Sequence, residues 1–443
     1  MQATEGLAAA PFRPKAEVSP LPLRAQPMQF SPMAERLSVS GADAWTVHNE
    51  ATRLRATGRD VTFLTIGDPD QAAPEVVVEA AVSALRRGRK GYSPYAGLPA
   101  VRAAIAARIE RRTGRACASA NVIVMPGAQA GVFAALQCVA GAGDEVILPE
   151  PVYATYPAVI SACGARMVNV PLDPARGFHP DLAAMERAIT PRTRAIWINT
   201  PHNPTGAVFD EEEMNAIAAL CRRHDLWLIS DEVYEDMAYA RAHVSAWSLA
   251  DMADRTIVVS SLSKSHAIPG FRFGWVAGPA PLVERVTNLV LCMLFGGPPF
   301  IQEGVLPALE RDLPEVAALR ETYRRRSAAF SALLEAAPRC RLRAPEGGMF
   351  ALLDVRPTGL PSLAFARRLL DEESVAVLPC DAFGPSAAGH VRISLTLPEP
   401  ELMAAGRKIV AFAARLASEA EDAQPQAESV GGKHSRATIA ARD

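Results

Sequence analysis

Short apolar runs that alternate with helical segments constrain this chain more than anything else in it. Val122–Met125, Glu145–Leu148, Ala165–Val170, Ala195–Asn199, Leu226–Ser230 and Thr256–Val259 each read as a buried strand. Helical spacing fills gaps between them over Ala128–Val139 and Glu211–His224. The second of these carries acids in its first turn and bases in its last, as the helix dipole favours. Such alternation predicts parallel βαβ units and a sheet covered by helices on both faces. Upstream, Val61–Ile66 reads as a further strand and Glu75–Arg87 and Leu98–Arg112 as helices. After Ile301 the texture changes: a charged helical region, Leu313–Ala337, leads to strands Met349–Asp354, Ala376–Leu378 and His390–Leu395 framed by helices Ser362–Glu372 and Glu401–Leu416. That pattern predicts a smaller α+β domain.

The expected division is a proline-rich arm over residues 1–32, the start of the small domain over 33–72, a large domain over 73–300, the rest of the small domain over 301–418, and a polar tail over 419–443. With 443 residues and 49% hydrophobic composition, the chain can bury a large core. A formal charge of −2 offers no basic field to attract nucleic acid or a membrane surface, so neither is expected as a partner. The seven cysteines are scattered, with no CxxC pair, which suits reduced thiols better than disulfides or a zinc site, and no metal is expected. No apolar run reaches membrane-spanning length and no positive n-region precedes an apolar core at the N-terminus, so a cytoplasmic location is expected.

Three of the strands end in short polar signatures. Ala195–Asn199 runs into Thr200-Pro201-His202-Asn203-Pro204-Thr205-Gly206, Leu226–Ser230 into Asp231-Glu232-Val233-Tyr234-Glu235, and Thr256–Val259 into Ser261-Leu262-Ser263-Lys264. In parallel neighbours these residues gather at the carboxyl edge of the sheet, where open α/β folds bind ligands. Alone, Lys264 reads as a solvated surface lysine, NPTG as a turn, SDE as a helix cap and Tyr234 as core. Together they fit one chemistry. A desolvated lysine amine attacks carbonyl carbon, serine hydroxyls with Arg272 suit a phosphate, and a buried carboxylate at Asp231 pairs with a protonated pyridine nitrogen. Asn203 and Tyr234 suit a phenolate oxygen. Upstream, Pro126-Gly127-Ala128-Gln129 joins a strand to a helix whose N-terminus can hold an anion. Arg392, in HVRIS, can grip a carboxylate bidentately.

In this order and over roughly residues 38–416, these motifs resemble the class I/II aminotransferases, fold-type I enzymes that depend on pyridoxal 5'-phosphate. The resemblance implies that Lys264 of SLSKSHAIPGFRFGW bonds the cofactor, with Ser261, Ser263 and Arg272 around its phosphate. It further implies Asp231 on the pyridine nitrogen, Tyr234 and Asn203 on the ring oxygen, and Tyr153 of EPVYATYP stacked on the ring. Gly127 and Ala128 would give backbone phosphate ligands, Arg392 would take the substrate α-carboxylate, and Gly67 of IGDPD would lie beside it. Tyr92 of GYSPYAG matches the tyrosine that reaches a second subunit's phosphate, which implies a homodimer with shared sites. Longer stretches, among them NLVLCMLFGGPPFIQ and GGMFALLDVRPTGL, resemble the branch that moves the amino group of arginine to pyruvate. The chain departs from the family in QAAP after IGDPD and in Pro269-Gly270-Phe271, both near the site. For a guanidinium-bearing donor, Asp70 and Glu303 are the acids singled out. Other donors (aspartate, aromatic or branched) and carbon–sulfur lysis on the same site are the alternatives. A regulatory sensor would need an output module, for which the first 32 residues are too short and proline-rich.

Overall fold

The structure, a computed structural model, describes residues 29–37 and 45–431, with side chains through Glu419; most of the expected N-terminal arm and the end of the tail lie outside the described residues. The first strand, β1 (Thr62–Phe63), belongs to the smaller body discussed below. The large sheet comprises β2 (Val122–Met125), β3 (Glu145–Glu150), β4 (Arg166–Pro171), β5 (Thr193–Asn199), β6 (Trp227–Asp231), β7 (Thr256–Ser261) and β8 (Gly274–Ala277). Their spatial order is β2-β8-β7-β6-β5-β3-β4. The pairs β3–β4, β3–β5, β5–β6 and β6–β7 are parallel, while β8 runs antiparallel to both neighbours. The sheet is therefore mostly parallel, as expected. β8 is an addition to the expected set: it opens on Gly274 and follows directly on the Lys264 loop.

Side chains along these strands alternate between two cores. Ile123, Val146, Trp197, Ile229, Ile257 and Val276 face one, with helices Ala128–Val139 and Ala280–Met293 packed over them. Val124, Ile147, Ile198, Leu228, Val258 and Trp275 face the other, under helices Pro99–Thr113 and Glu211–Arg223. Each buried Val or Ile contributes roughly 1.5–3 kcal/mol, so the register of every strand is strongly held. Helix Glu211–Arg223 starts where Asp210 accepts the Glu213 N–H at 2.9 Å and Glu213 returns the bond to the Asp210 N–H at 2.9 Å.

The smaller body pairs β1 in parallel with β11 (Val375–Ala376). Beside it lies an antiparallel sheet of β9 (Arg341–Arg343), β10 (Phe350–Asp354), β12 (Leu378–Pro379) and β13 (His390–Ser394), in the order β12-β13-β10-β9. Its core joins Val47, Val61 and Leu64 to residues of helices Pro314–Leu334, Ser362–Glu373 and Glu399–Gly431. The expected strand Val61–Ile66 shrinks to two residues because the chain bends at Thr65 and Ile66 is exposed. Val305, Ala308, Leu309 and Leu313, which follow the expected limit at residue 300, are buried in the core of the large body. The last helix continues to Gly431, beyond the expected end of the folded body at 418. Among the described residues no helix is long and apolar enough to cross a membrane.

One close approach fixes the edge where the strands converge. At Gly274 an added Cβ would lie 2.7 Å from the Ser260 carbonyl oxygen, 2.8 Å from the Gly127 carbonyl carbon and 2.9 Å from the Ala128 nitrogen, all backbone atoms that cannot swing aside. Gly274→Ala is therefore expected to lower stability by about 1–3 kcal/mol, read as a lower denaturant midpoint. An unchanged midpoint would contradict this packing.

Candidate active site

β2, β5, β6 and β7 all point their carboxyl ends to one edge, because β8 reverses direction between β2 and β7. Lys264 lies three residues past the end of β7, and its Nζ donates to the Gly67 carbonyl at 2.5 Å. Burial pushes this amine down to about 8, the Arg392 and Arg272 charges add to the fall, and Asp68 opposes it. Near neutral pH such an amine exchanges its proton readily, as an ordinary surface lysine does not. It faces a cavity of about 230 Å³ whose walls include Asn203, Asp231, Tyr234, Ser263 and Arg272.

Asp231 ends β6 and is buried; its carboxyl accepts from the Tyr156 hydroxyl at 2.7 Å and from the Val233 N–H at 3.2 Å. Burial outweighs these bonds and holds its carboxyl up at about 6. A buried carboxylate in this state favours a cationic neighbour. Asn199, ending β5, donates from its amide to the Asp231 backbone oxygen at 2.9 Å and accepts the Asn203 N–H at 2.8 Å. It thereby ties the two strand ends to the Asn203 turn. Tyr234 is buried, which raises its phenol well above the usual range, while a hydrogen bond with Asn203 pulls the other way. Tyr153 sits edge-on to Tyr156, ring centres 5.5 Å apart. Tyr156 and Asn199 had not been singled out. The available signal for Asn199 was a lone amide closing an otherwise apolar strand.

The anion cradle forms where β2 meets its helix. Gly127 has φ +87°, which glycine adopts without strain, and caps helix Ala128–Val139, whose first N–H groups lack partners within the helix. Arg272, at φ +50°, folds back so that Nη1 donates to the Pro269 carbonyl at 2.8 Å and Nη2 to that of Pro126 at 3.1 Å. A Cβ at Gly127 would meet Arg272 Nη2 at 2.4 Å, so the guanidinium lies directly across the glycine. Ser261 and Ser263 are buried beside it, with the Ser263 N–H donating to Ser261 Oγ at 3.4 Å.

Arg392 projects from β13 opposite Leu352 of β10. Its guanidinium is buried and lies 4.0 Å from the centre of the Phe350 ring and 5.4 Å from that of Phe383. Nη2 donates to the Thr65 carbonyl at 2.6 Å and Nη1 to Asn203 Oδ1 at 3.1 Å, while Nε has no partner. Among the described residues no carboxylate pairs with it. A buried cation whose partners are all neutral favours an incoming anion.

Tyr92 is not brought to the cavity: it is 86% exposed and edge-on to Phe295. Asp70 and Glu303 are already engaged. Asp70 grips Arg326 at 2.9 and 2.6 Å, and Glu303 pairs with Arg87 and Arg89 on the surface, so neither is a free acid in the cavity. A second cavity, about 530 Å³, is lined by Arg108, Arg112, Glu235, Asp236 and His243. There Arg108 and Arg112 pair with Glu235 and Asp236, and His243 with Glu232.

The family model for aminotransferase class I and II matches residues 59–409. An arginine–pyruvate transaminase of Pseudomonas aeruginosa is 47% identical over 393 residues, covering 89% of this chain and all of that one. An aspartate/prephenate aminotransferase of Thermus thermophilus is 37% identical, covering 80% of this chain and 92% of that one. Among solved structures, aspartate aminotransferase from Thermus thermophilus with maleate superposes with a TM-score of 0.82 at 34% identity, over 87% of this chain and all of that one. With the strand order and the edge geometry above, these likenesses show that the chain belongs to the class I and II aminotransferase family.

Proposed function

We propose that this aminotransferase uses pyridoxal 5'-phosphate to move the amino group of arginine to pyruvate. The observation that carries the chemistry is the half-buried Lys264 amine facing the same cavity as Asp231 and lying within the field of the unpaired Arg392 cation. The donor set fits the cofactor: an amine for its aldehyde, a carboxylate for its ring nitrogen, and glycine, hydroxyls and a guanidinium for its phosphate. When bound, the cofactor supplies an electron sink that makes the substrate's α-proton labile.

The chain's own residues do the rest. Gly127 and Ala128 offer backbone N–H groups, and Ser261, Ser263 and Arg272 complete the phosphate site. Asp231, fixed by Tyr156, would keep the ring nitrogen protonated, and Tyr234 with Asn203 would take the ring oxygen. The half-buried Tyr153 covers one ring face. Arg392 receives the α-carboxylate and Gly67 closes the near side, so the α-carbon is presented to Lys264 Nζ. With its amine lowered to about 8, Lys264 would take the α-proton and, as the same base, deliver it on the far side of the substrate nitrogen. Water entering the site would supply the oxygen of the departing 2-oxo acid, and a second 2-oxo acid would run the sequence in reverse with release of water, which gives ping-pong kinetics.

The choice of arginine and pyruvate is supported by the likeness to the Pseudomonas transaminase over its full length. A homodimer is supported by exposed Tyr92, Tyr95, Leu291, Leu294 and Phe295, clustered beside the phosphate cradle, an apolar patch of the kind a subunit interface covers. Seven unpaired cysteines fit a cytoplasmic protein.

A panel of amino acids assayed with pyruvate and with 2-oxoglutarate is expected to give the fastest 2-oxo acid formation with arginine and pyruvate. Thiol or ammonia release without a 2-oxo acid acceptor would instead support lysis. Lys264→Ala should remove turnover, and borohydride reduction should label Lys264 in the wild type only. Asp231 gives a pH signature in the cofactor-free protein. Its carboxyl is raised to about 6 on folding, so the native state holds the proton more tightly, and stability is lost as pH rises through that value. Asp231→Asn should therefore raise the melting temperature at pH 8, and the gain should shrink as pH falls below 6. An equal gain at both pH values would contradict the burial argument.

A further inference from the structure

We propose that Glu346 is a positioning residue, holding the turn that presents Asn203 and the strand that presents Phe350 on either side of Arg392. The inference deepens the reading of Arg392 as the carboxylate-binding residue and rests on it.

Glu346 stands in the loop that leads into β10, and its carboxylate reaches across to the large body. It accepts the Val208 N–H at 2.9 Å and the Arg241 Nη2 at 3.0 Å, and lies 3.3 Å from His179 Nε2. His179 Nδ1 meets Glu213 at 2.9 Å, and Arg241 Nη1 reaches Asp210 at 3.4 Å. Asp210 and Glu213 are the two halves of one helix cap, so the contacts close into a ring anchored on helix Glu211–Arg223. His179 is raised to about 9 by its two carboxylate neighbours and is cationic at neutral pH, which makes the ring ionic.

The backbone repeats the attachment. The Glu346 and Gly347 N–H groups both donate to the Gly206 carbonyl at 2.9 Å, and the Glu346 carbonyl takes the Tyr239 and Ala240 N–H groups. Gly206, at φ +75°, leaves no room for a side chain: its Cβ would lie 2.2 Å from Pro345 Cβ. Three residues before Gly206 stands Asn203, whose Oδ1 accepts from Arg392. Four residues after Glu346 stands Phe350, whose ring lies under the Arg392 guanidinium at 4.0 Å and against Gly67. Glu346 therefore anchors two of the four neutral supports of the same cation, Asn203 and Phe350. None of its contacts reaches the cavity, so its effect passes through Asn203 and Phe350 to substrate binding.

The test uses the cofactor-loaded enzyme with Glu346→Ala and the milder Glu346→Gln, whose amide oxygen still accepts from Val208. In Glu346→Ala the Val208 amide should exchange hydrogen about tenfold faster, and KM for donor and acceptor should each rise about tenfold with kcat within about threefold. Glu346→Gln should fall between this variant and the wild type in both readouts. Unchanged exchange at Val208 overturns the clamp, and faster exchange with unchanged KM overturns the positioning role. Arg392→Lys serves as the separate control: if it leaves KM unchanged, the carboxylate reading of Arg392 falls, whatever the exchange shows at Val208.

Discussion

The Arg392 guanidinium is held out of water by partners that carry no charge: the Thr65 carbonyl, the Asn203 amide oxygen and the faces of Phe350 and Phe383. Removing such a cation from water costs several kcal/mol, and neutral hydrogen bonds recover only part of it. An arriving anion would recover the rest, which is why Arg392 is proposed to hold the substrate carboxylate. Much of the structure serves to keep that cation in place without neutralising it. Asn203 is fixed by Asn199, and Phe350 packs so closely on Gly67 that a Cβ there would sit 2.4 Å from the ring.

The large sheet explains why these groups meet. Its central strands are largely buried on both faces, so the polar groups of the site come from strand ends, and the ends of β5, β6 and β7 share an edge. Asn199 and Asp231 stand directly opposite each other in the register, and Lys264 follows one strand over. The antiparallel β8 lets β2 bring its helix N-terminus to the same edge, with Gly274 permitting the approach. Lys264 and Asp231 are perturbed in opposite senses, the amine lowered and the carboxyl raised, and burial is the first cause of both. Each is biased towards its neutral form until a charged partner enters.

Much of this was legible in the chain itself. Continuous apolar runs ending in NPTG, SDE and SLSK announce buried parallel strands with polar ends, and parallel neighbours must bring those ends together. What stayed hidden depends on three-dimensional pairing. β8 opens on a glycine directly after the Lys264 loop and carries a single β-branched residue, Val276. Tyr156 competes with Tyr153 in one turn-rich stretch, and nothing local tells which hydroxyl reaches Asp231. Asp70 was singled out for a guanidinium and found one, but it is that of Arg326, 256 residues away in sequence. Glu346 sits in a loop with no pattern, and its partners come from three separate segments of the large body.

The claim on which the rest depends is that Arg392 is an unneutralised cation kept for a substrate carboxylate. It is tested most directly by equilibrium binding of an unreactive carboxylate analogue of the amino acid to the cofactor-loaded wild type and to Arg392→Lys. The wild type should bind it, and Arg392→Lys, which loses the planar fork, should bind at least about thirtyfold more weakly. Equal affinities would contradict the account.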